Sequence, residues 1–222
     1  MCEESCEESE RKLQEIRKPD CLFDEMKWTK APTKPGNYFE GYKAVLKFYS
    51  ETPWEFTALV IDTHKYPLKH AIYTNNSTEI GYYKYFYQLL RAGMKRNKES
   101  NYDICLDPKL KEIAGSVETL QHCLNGGAVN DNFPESRGFQ VCTVKEFKEP
   151  DGGKRGSACL ELTDLLTGMV AARWNQKVTN KLKLNLIEFT ERLLKVDMSL
   201  ESKPDENKKM NIWKFEPNER VE

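Results

Sequence analysis

The sequence predicts a mixed α/β domain in which short buried strands alternate with amphipathic helices. Three short runs, EFTALVID, YDICLD and GFQVCTVKEF, are separated by longer segments whose apolar residues recur at helical spacing. Strands that alternate with helices are typical of sheets with parallel pairs. Of the 222 residues, 39% are hydrophobic and 31% are charged, which supplies a core and disfavours a disordered chain.

The elements follow one another without an internal repeat. Residues 1–18 are charged and predict a helix or a frayed arm, which Pro19 closes. Apolar spacing predicts helices over 37–50, 78–96, 110–124, 159–174 and about 179–196. Gly126–Gly127 are expected to end the third of these helices. We therefore expect an N-terminal arm (1–18), one domain (19–198) and a charged tail (199–222) that adds an edge strand at NIWKFEP.

Composition disfavours several classes of protein. No apolar run approaches the roughly 20 residues that cross a bilayer, and the start MCEESCEESERK is acidic where a signal peptide is basic and then apolar. We therefore expect a cytoplasmic protein without a membrane partner. The seven cysteines form no C-x-x-C pair, which disfavours structural zinc, and Cys105 and Cys142 are expected to be small hydrophobes within strands.

Charge is distributed unevenly although the formal net charge is only −1. One basic group interleaves Lys27, Lys30 and Lys34 with Trp28, and a second comprises Lys177, Lys181 and Lys183. Such groups are either local nucleic-acid contacts or ordinary solvated faces, and composition alone favours the solvated face.

Three acidic residues are candidates for chemistry. Asp62 and Asp107 end predicted strands, where ligands of parallel sheets bind, although aspartate also serves there as a cap. Asp164 lies within an apolar helix, where a charge is costly unless it is paired. Glu161, Asp164, Gly168 and Ala171 share one face of that helix, and the two small residues permit close approach of another backbone.

The chain resembles the domain-of-unknown-function 3800 family in three segments. EMKWTK (residues 25–30) is similar to the family's E-[IL]-K-W-[ST]-K element, and NYDICLD (101–107) resembles its strand with a terminal aspartate. LELTDLLTG (160–168) is similar to its L-Q-L-A-D-L-L-A-G helix. The order of the segments also matches, and the likeness spans roughly residues 20–190.

The resemblance implies a ribonuclease H-like mixed sheet flanked by helices, with a metal-dependent phosphodiesterase or nuclease activity. The implied cluster comprises Glu25, Asp107 and Asp164, with Asp62 a weaker member, and it would bind Mg²⁺ or Mn²⁺. Lys27, Trp28 and Lys30 become candidate nucleic-acid contacts. The alternative is a catalytically silent ribonuclease H-like module that binds nucleic acid or protein.

Two departures from the family pattern affect these expectations. Family members usually open with a strand carrying D-E-S-G, and this chain begins after that element, so we expect the first strand or strands of the sheet to be missing. A late start of the gene model, a degenerate remnant, or a second chain that pairs with the exposed sheet edge in a homo-oligomer would each explain this. In addition, Glu161 stands where the family has Gln.

Overall fold

The computed structural model describes residues 8, 11–16, 26–65, 78–96, 100–106, 116–131, 142–146, 158–203 and 209–216. The elements are α1 (Asn37–Glu51), β1 (Phe56–Ile61), α2 (Thr78–Lys95), β2 (Tyr102–Leu106), α3 (Ser116–Asn130), β3 (Cys142–Glu146), α4 (Ala158–Trp174), α5 (Lys181–Leu194) and β4 (Met210–Phe215). Residues 11–16 are also helical. The mixed α/β class expected from the alternating pattern is confirmed.

The described strands form two small sheets of two strands each. β1 pairs with β4, which is the strand expected at NIWKFEP, and β2 pairs with β3. The β2–β3 pair is parallel, with Tyr102 opposite Cys142 and Leu106 opposite Glu146. The parallel pairing expected from the alternation of strands and helices is confirmed for this pair. Within the described ranges the strands form two separate pairs and not one sheet.

The chain divides into two compact units. The first comprises residues 1–60 and 149–214, and the second comprises residues 61–148 and 215–222. Among the helices of the described ranges, none is long and apolar enough to cross a membrane.

The core of the first unit is built from the inner faces of α1, α4 and α5. Its fully buried side chains include Tyr42, Leu46, Leu165, Met169, Leu186 and Ile187. Leu13 of the N-terminal helical stretch joins this core, as does Met26. The Asn180 side chain caps α5 by accepting hydrogen bonds from the Leu182 and Lys183 amides, which fixes where that helix begins.

The core of the second unit lies between the β2–β3 pair and the helices α2 and α3. Ile104 and Leu106 of β2 face this core with Cys142 and Val144 of β3. Side chains alternate along a strand, so Cys105 lies on the opposite face of β2 and is exposed. The expectation that Cys105 is a buried hydrophobe is wrong, because its position in the strand places its side chain on the outward face of β2. Cys142 is buried as expected, and burial raises the pKa of its thiol to about 11.

The two glycines expected to end the third helix lie inside it. α3 continues through Gly126 and Gly127 to Asn130. A Cβ added at Gly127 would lie 2.8 Å from the Tyr87 hydroxyl oxygen, so the absent side chain leaves room for α2. The expected termination is wrong because packing of α3 outweighs the cost of glycine within a helix, roughly 1 kcal/mol.

Side chains of α3 also cover part of the edge of β3. The Asn125 amide donates to the Cys142 carbonyl and its oxygen accepts from the Cys142 amide, both at 3.0 Å. Gln121 Oε1 accepts from the Val144 amide at 2.8 Å. These groups occupy the positions in which another strand would hydrogen-bond, so strand addition at these amides is blocked.

Candidate functional site

One face of α4 holds the segment that precedes α1. Glu161 Oε2 accepts a hydrogen bond from the Met26 amide at 2.7 Å, and Asp164 Oδ2 accepts one from the Trp28 amide at 3.1 Å. Glu161 is only 3% exposed, whereas Asp164 is exposed. The shared face expected from the spacing of Glu161, Asp164 and Gly168 therefore exists, and its carboxylates bind backbone amides of residues 26–28.

Gly168 lets the same segment approach α4 closely. A Cβ added at this glycine would lie 2.2 Å from both Cβ and Cγ of Trp28, which is far inside van der Waals contact. The indole is half-buried and packs against the core of the first unit. A residue larger than glycine at this position would have to displace Trp28.

Lys183 of α5 holds the segment from another direction. Its ammonium donates to the Trp28 carbonyl at 2.9 Å and to the Thr29 carbonyl at 3.3 Å. The same Nζ lies 5.0 Å from the centre of the Trp28 ring, within cation–π range. Burial lowers the pKa of Lys183 below its usual range, because the ammonium has lost part of its hydration.

The remaining backbone groups of the segment are also engaged. The buried Tyr42 hydroxyl of α1 donates to the Lys27 carbonyl at 3.2 Å, and burial raises the pKa of Tyr42, which keeps the hydroxyl protonated. The Lys30 amide donates to the Lys27 carbonyl, and the Ala31 amide to the Trp28 carbonyl, both at 3.1 Å. We call residues 26–31 the K-W segment. It has neither helix nor strand structure, yet three helices fix its backbone.

The K-W segment joins the two basic groups that the sequence places about 150 residues apart. Lys27 is half-buried, Lys30 and Lys34 are exposed, and Lys177 and Lys181 are exposed just before and at the start of α5. Lys183, from the second group, binds carbonyls within the first. One member of the second group therefore lies against the backbone of the first group.

The structure describes two of the four acidic residues that the sequence named as site residues. Asp164 is exposed on α4, as described above. Asp62 follows β1 and belongs to the second unit, and its Oδ1 accepts from the amides of His64 at 3.0 Å and Lys65 at 2.9 Å. This is the capping role that the sequence left open for an aspartate at a strand end. Glu25 and Asp107 lie outside the described residues.

No metal centre is formed by the described residues alone, since no three His, Cys, Asp or Glu side chains among them are grouped to hold an ion. Two of the three predicted metal ligands, Glu25 and Asp107, lie outside the described residues. That these two and Asp164 lie close together therefore stays a prediction.

Sequence reasoning missed Lys183 and Tyr42 as partners of the K-W segment. The sequence places Lys183 in a basic group and Tyr42 within the helix expected over 37–50, and neither placement indicates a contact with the segment. The sequence did indicate Glu161, because its spacing places it on the same helix face as Asp164 and Gly168. No feature of the sequence indicates which backbone those three residues contact.

Comparison of the chain with protein-family models, with curated proteins and with solved structures found no match. The likeness to the domain-of-unknown-function 3800 family therefore rests on the three motifs alone.

Proposed function

We propose that this chain is a ribonuclease H-like module that binds nucleic acid through the K-W segment and the start of α5. The observation that carries the proposal is the contact of Lys183 with the Trp28 and Thr29 carbonyls. This contact places one lysine of the second group against the first group, and we infer from it that the two groups together form one basic region. Lysines are point charges that pair with phosphates and release counterions, so such a region favours a polyanion.

The exposed ammonium groups of Lys30, Lys34, Lys177 and Lys181 are the proposed phosphate contacts, with Lys27 beside them. Backbone contacts of this kind carry little sequence information, so we expect binding with weak sequence preference. Trp28 has a supporting role in this proposal, because its indole packs against Gly168 and under Lys183. A base stacking on the Lys183 side would have to displace that ammonium.

Binding of a fluorescently labelled 20-nucleotide single strand and of a 20-base-pair duplex, followed by anisotropy, tests the proposal. We expect a Kd of roughly 10⁻⁴ to 10⁻⁶ M at moderate salt for at least one of them, and a log–log dependence of affinity on salt with negative slope. The double variant Lys30→Met/Lys181→Met removes two proposed phosphate contacts and should weaken binding by about tenfold or more.

Lys47→Met is the matched control, since Lys47 is an exposed lysine of α1 in neither basic group. It should bind like the wild-type chain. Equal losses of affinity in the double variant and in the control would mean that binding depends only on the overall charge of the chain. The absence of salt-sensitive binding to either probe by the folded wild-type chain would refute the proposal.

A second candidate function, a Mg²⁺- or Mn²⁺-dependent phosphodiesterase, is favoured by the arrangement around Asp164. Its exposed carboxylate is oriented by the Trp28 amide, and the same helix binds the amide of Met26, the residue that follows Glu25 in the sequence. Carboxylates from separate segments are the ligands that hard divalent ions prefer. Asp164 would be one of the ligands, and the ions would stabilise the attacking and leaving oxygens of the phosphodiester.

Calorimetric titration with Mn²⁺ and with Mg²⁺ tests this candidate without knowledge of a substrate. We expect binding at millimolar or lower concentration by the wild-type chain and its loss in Asp164→Asn. The amide oxygen of asparagine can still accept from the Trp28 amide, so the variant removes charge and preserves that contact.

Glu188→Gln, at an exposed carboxylate of α5, is the control and should bind as the wild type does. Equal loss in both variants would exclude a specific role for Asp164. If neither ion binds to the folded wild-type chain, the phosphodiesterase candidate fails, while the nucleic-acid proposal still stands or falls on its own binding assay.

A further inference from the structure

Side chains from elsewhere in the first unit make five hydrogen bonds to the backbone of the K-W segment. Glu161 and Asp164 bind two of its amides, Tyr42 binds the Lys27 carbonyl, and Lys183 binds the carbonyls of Trp28 and Thr29. An irregular segment without such contacts would expose these groups to water and sample many conformations. Here each contact selects one backbone conformation, and the side chain of Lys30 is left exposed.

Lys183 differs from the exposed lysines around it in what its ammonium contacts. An ammonium has three donors, and two of those of Lys183 point at carbonyl oxygens of the segment. The charge also lies over the Trp28 ring, and the side chain is half-buried. Lys30, by contrast, is an exposed side chain within the segment itself. The two lysines are therefore suited to different tasks.

We propose that Lys183 is a positioning residue, which orders the K-W segment through the Trp28 and Thr29 carbonyls and does not contact the phosphates of the ligand itself. The inference rests on the proposed nucleic-acid binding and deepens it, because it divides the basic residues into those that contact the ligand and one that prepares the segment. Ordering the segment before binding removes an entropy cost that the complex would otherwise bear.

The salt dependence of binding separates these two roles. A lysine that pairs with a phosphate adds roughly 0.7 to 0.9 to the magnitude of the log–log slope, whereas a lysine that only orders the protein adds nothing. We expect Lys30→Met to lower the slope by about that amount. We expect Lys183→Met to weaken binding roughly three- to tenfold while the slope stays at the wild-type value.

Lys183→Arg serves as the conservative variant, because a guanidinium can also donate to two carbonyls, and it should retain most of the affinity. A drop in slope for Lys183→Met equal to that for Lys30→Met would show direct phosphate contact and overturn the positioning role. Unchanged affinity together with unchanged slope would overturn it as well.

Hydrogen exchange gives a readout that does not depend on any ligand. In Lys183→Met, amide exchange of residues 26–31 should rise several-fold while exchange in the middle of α4 stays at the wild-type rate, since only the segment loses its partner. Unchanged exchange in residues 26–31 would refute the positioning role even if nucleic acid binds. Raised exchange in a chain that binds neither probe would refute the nucleic-acid proposal and leave Lys183 an ordering residue only.

Discussion

Glu161 lies in the first turn of α4 and is 3% exposed, which is a costly place for a carboxylate. Two features offset this cost. The Met26 amide donates to it at 2.7 Å, and the amino-terminal end of a helix favours negative charge. A glutamine oxygen at this position could accept from the same amide. The acceptor rather than the charge is therefore what the Met26 contact requires.

Among the described acidic residues of the second unit, Asp131 has the most clearly shifted pKa. Arg91 donates to its two oxygens at 2.7 and 2.8 Å, and Lys95 Nζ lies 3.1 Å from Oδ1. These contacts, led by the Arg91 hydrogen bonds, lower the pKa of Asp131 from 3.8 to about 2. Its side chain is 11% exposed, so the ion pair is only partly screened by water.

A depressed pKa in the folded state stabilises the fold above the unfolded value, near pH 4, and this stabilisation is lost as the pH falls through about 2. We therefore expect Asp131→Asn to be about 1 kcal/mol less stable than wild type at pH 7, because water screens part of the interaction, and the difference to shrink between pH 4 and pH 2. Urea unfolding across this pH range measures it. A stability difference between Asp131→Asn and wild type that stays constant with pH would contradict the assignment of this difference to the ion pair.

At the scale of the elements, α3 shows that packing determines how a glycine affects the stability of a helix. Gly126 and Gly127 are adjacent, yet an added Cβ meets nothing within 4 Å at the first and the Tyr87 hydroxyl at 2.8 Å at the second. One residue faces open space and its neighbour faces α2. Alanine favours a helix over glycine by up to about 1 kcal/mol, but only where the new methyl group has room.

We expect Gly126→Ala to raise the free energy of unfolding by about 0.5 to 1 kcal/mol. Gly127→Ala should give a smaller gain or a net loss, because the Tyr87 ring or its hydroxyl must move. Thermal unfolding of the two variants side by side measures the difference, and each serves as the control for the other. Equal stabilisation by both would mean that α2 does not lie against Gly127.

At the scale of the whole molecule, the two compact units have separate cores, each made of its own helices and strands. The first unit combines residues 1–60 with residues 149–214, and the second is formed mainly by residues 61–148. Separate cores of this kind often open as separate cooperative units, which native-state hydrogen exchange detects.

We expect Asp131→Asn to raise amide exchange in α2 and α3 while leaving α4 and α5 near the wild-type rate. Gly168→Ala should raise amide exchange in α4 and α5 and leave α2 and α3 near the wild-type rate. The reason is that its Cβ would lie 2.2 Å from Trp28 of the first unit. Exchange measured by mass spectrometry on peptides from the four helices tests both variants. A uniform rise across all four helices in either variant would show that the two units open as one.

Much of the local structure was predictable from residue spacing. The helix expected over 37–50 is Asn37–Glu51, and the one expected over 159–174 is Ala158–Trp174. The strand expected in EFTALVID is Phe56–Ile61. Periodicity determines these elements because burial of one face repeats along the chain at the period of the helix or strand. The error at Cys105 overlooked the alternation along YDICL, which places Cys105 with Asp103 on the outward face. The error at Gly126–Gly127 concerns packing against α2, which periodicity does not specify.

The sequence by itself determined the α/β class, the order of the elements and the shared face of Glu161, Asp164 and Gly168, because these follow from local backbone geometry. Only the tertiary structure decided that this face binds the amides of Met26 and Trp28, and that Lys183 joins the two basic groups. Those contacts link residues more than 130 positions apart, and no local pattern encodes which distant backbone will supply the hydrogen-bond partner. They arise because α1, α4 and α5 pack around one core and the K-W segment lies against all three helices, where its polar backbone groups need hydrogen-bond partners.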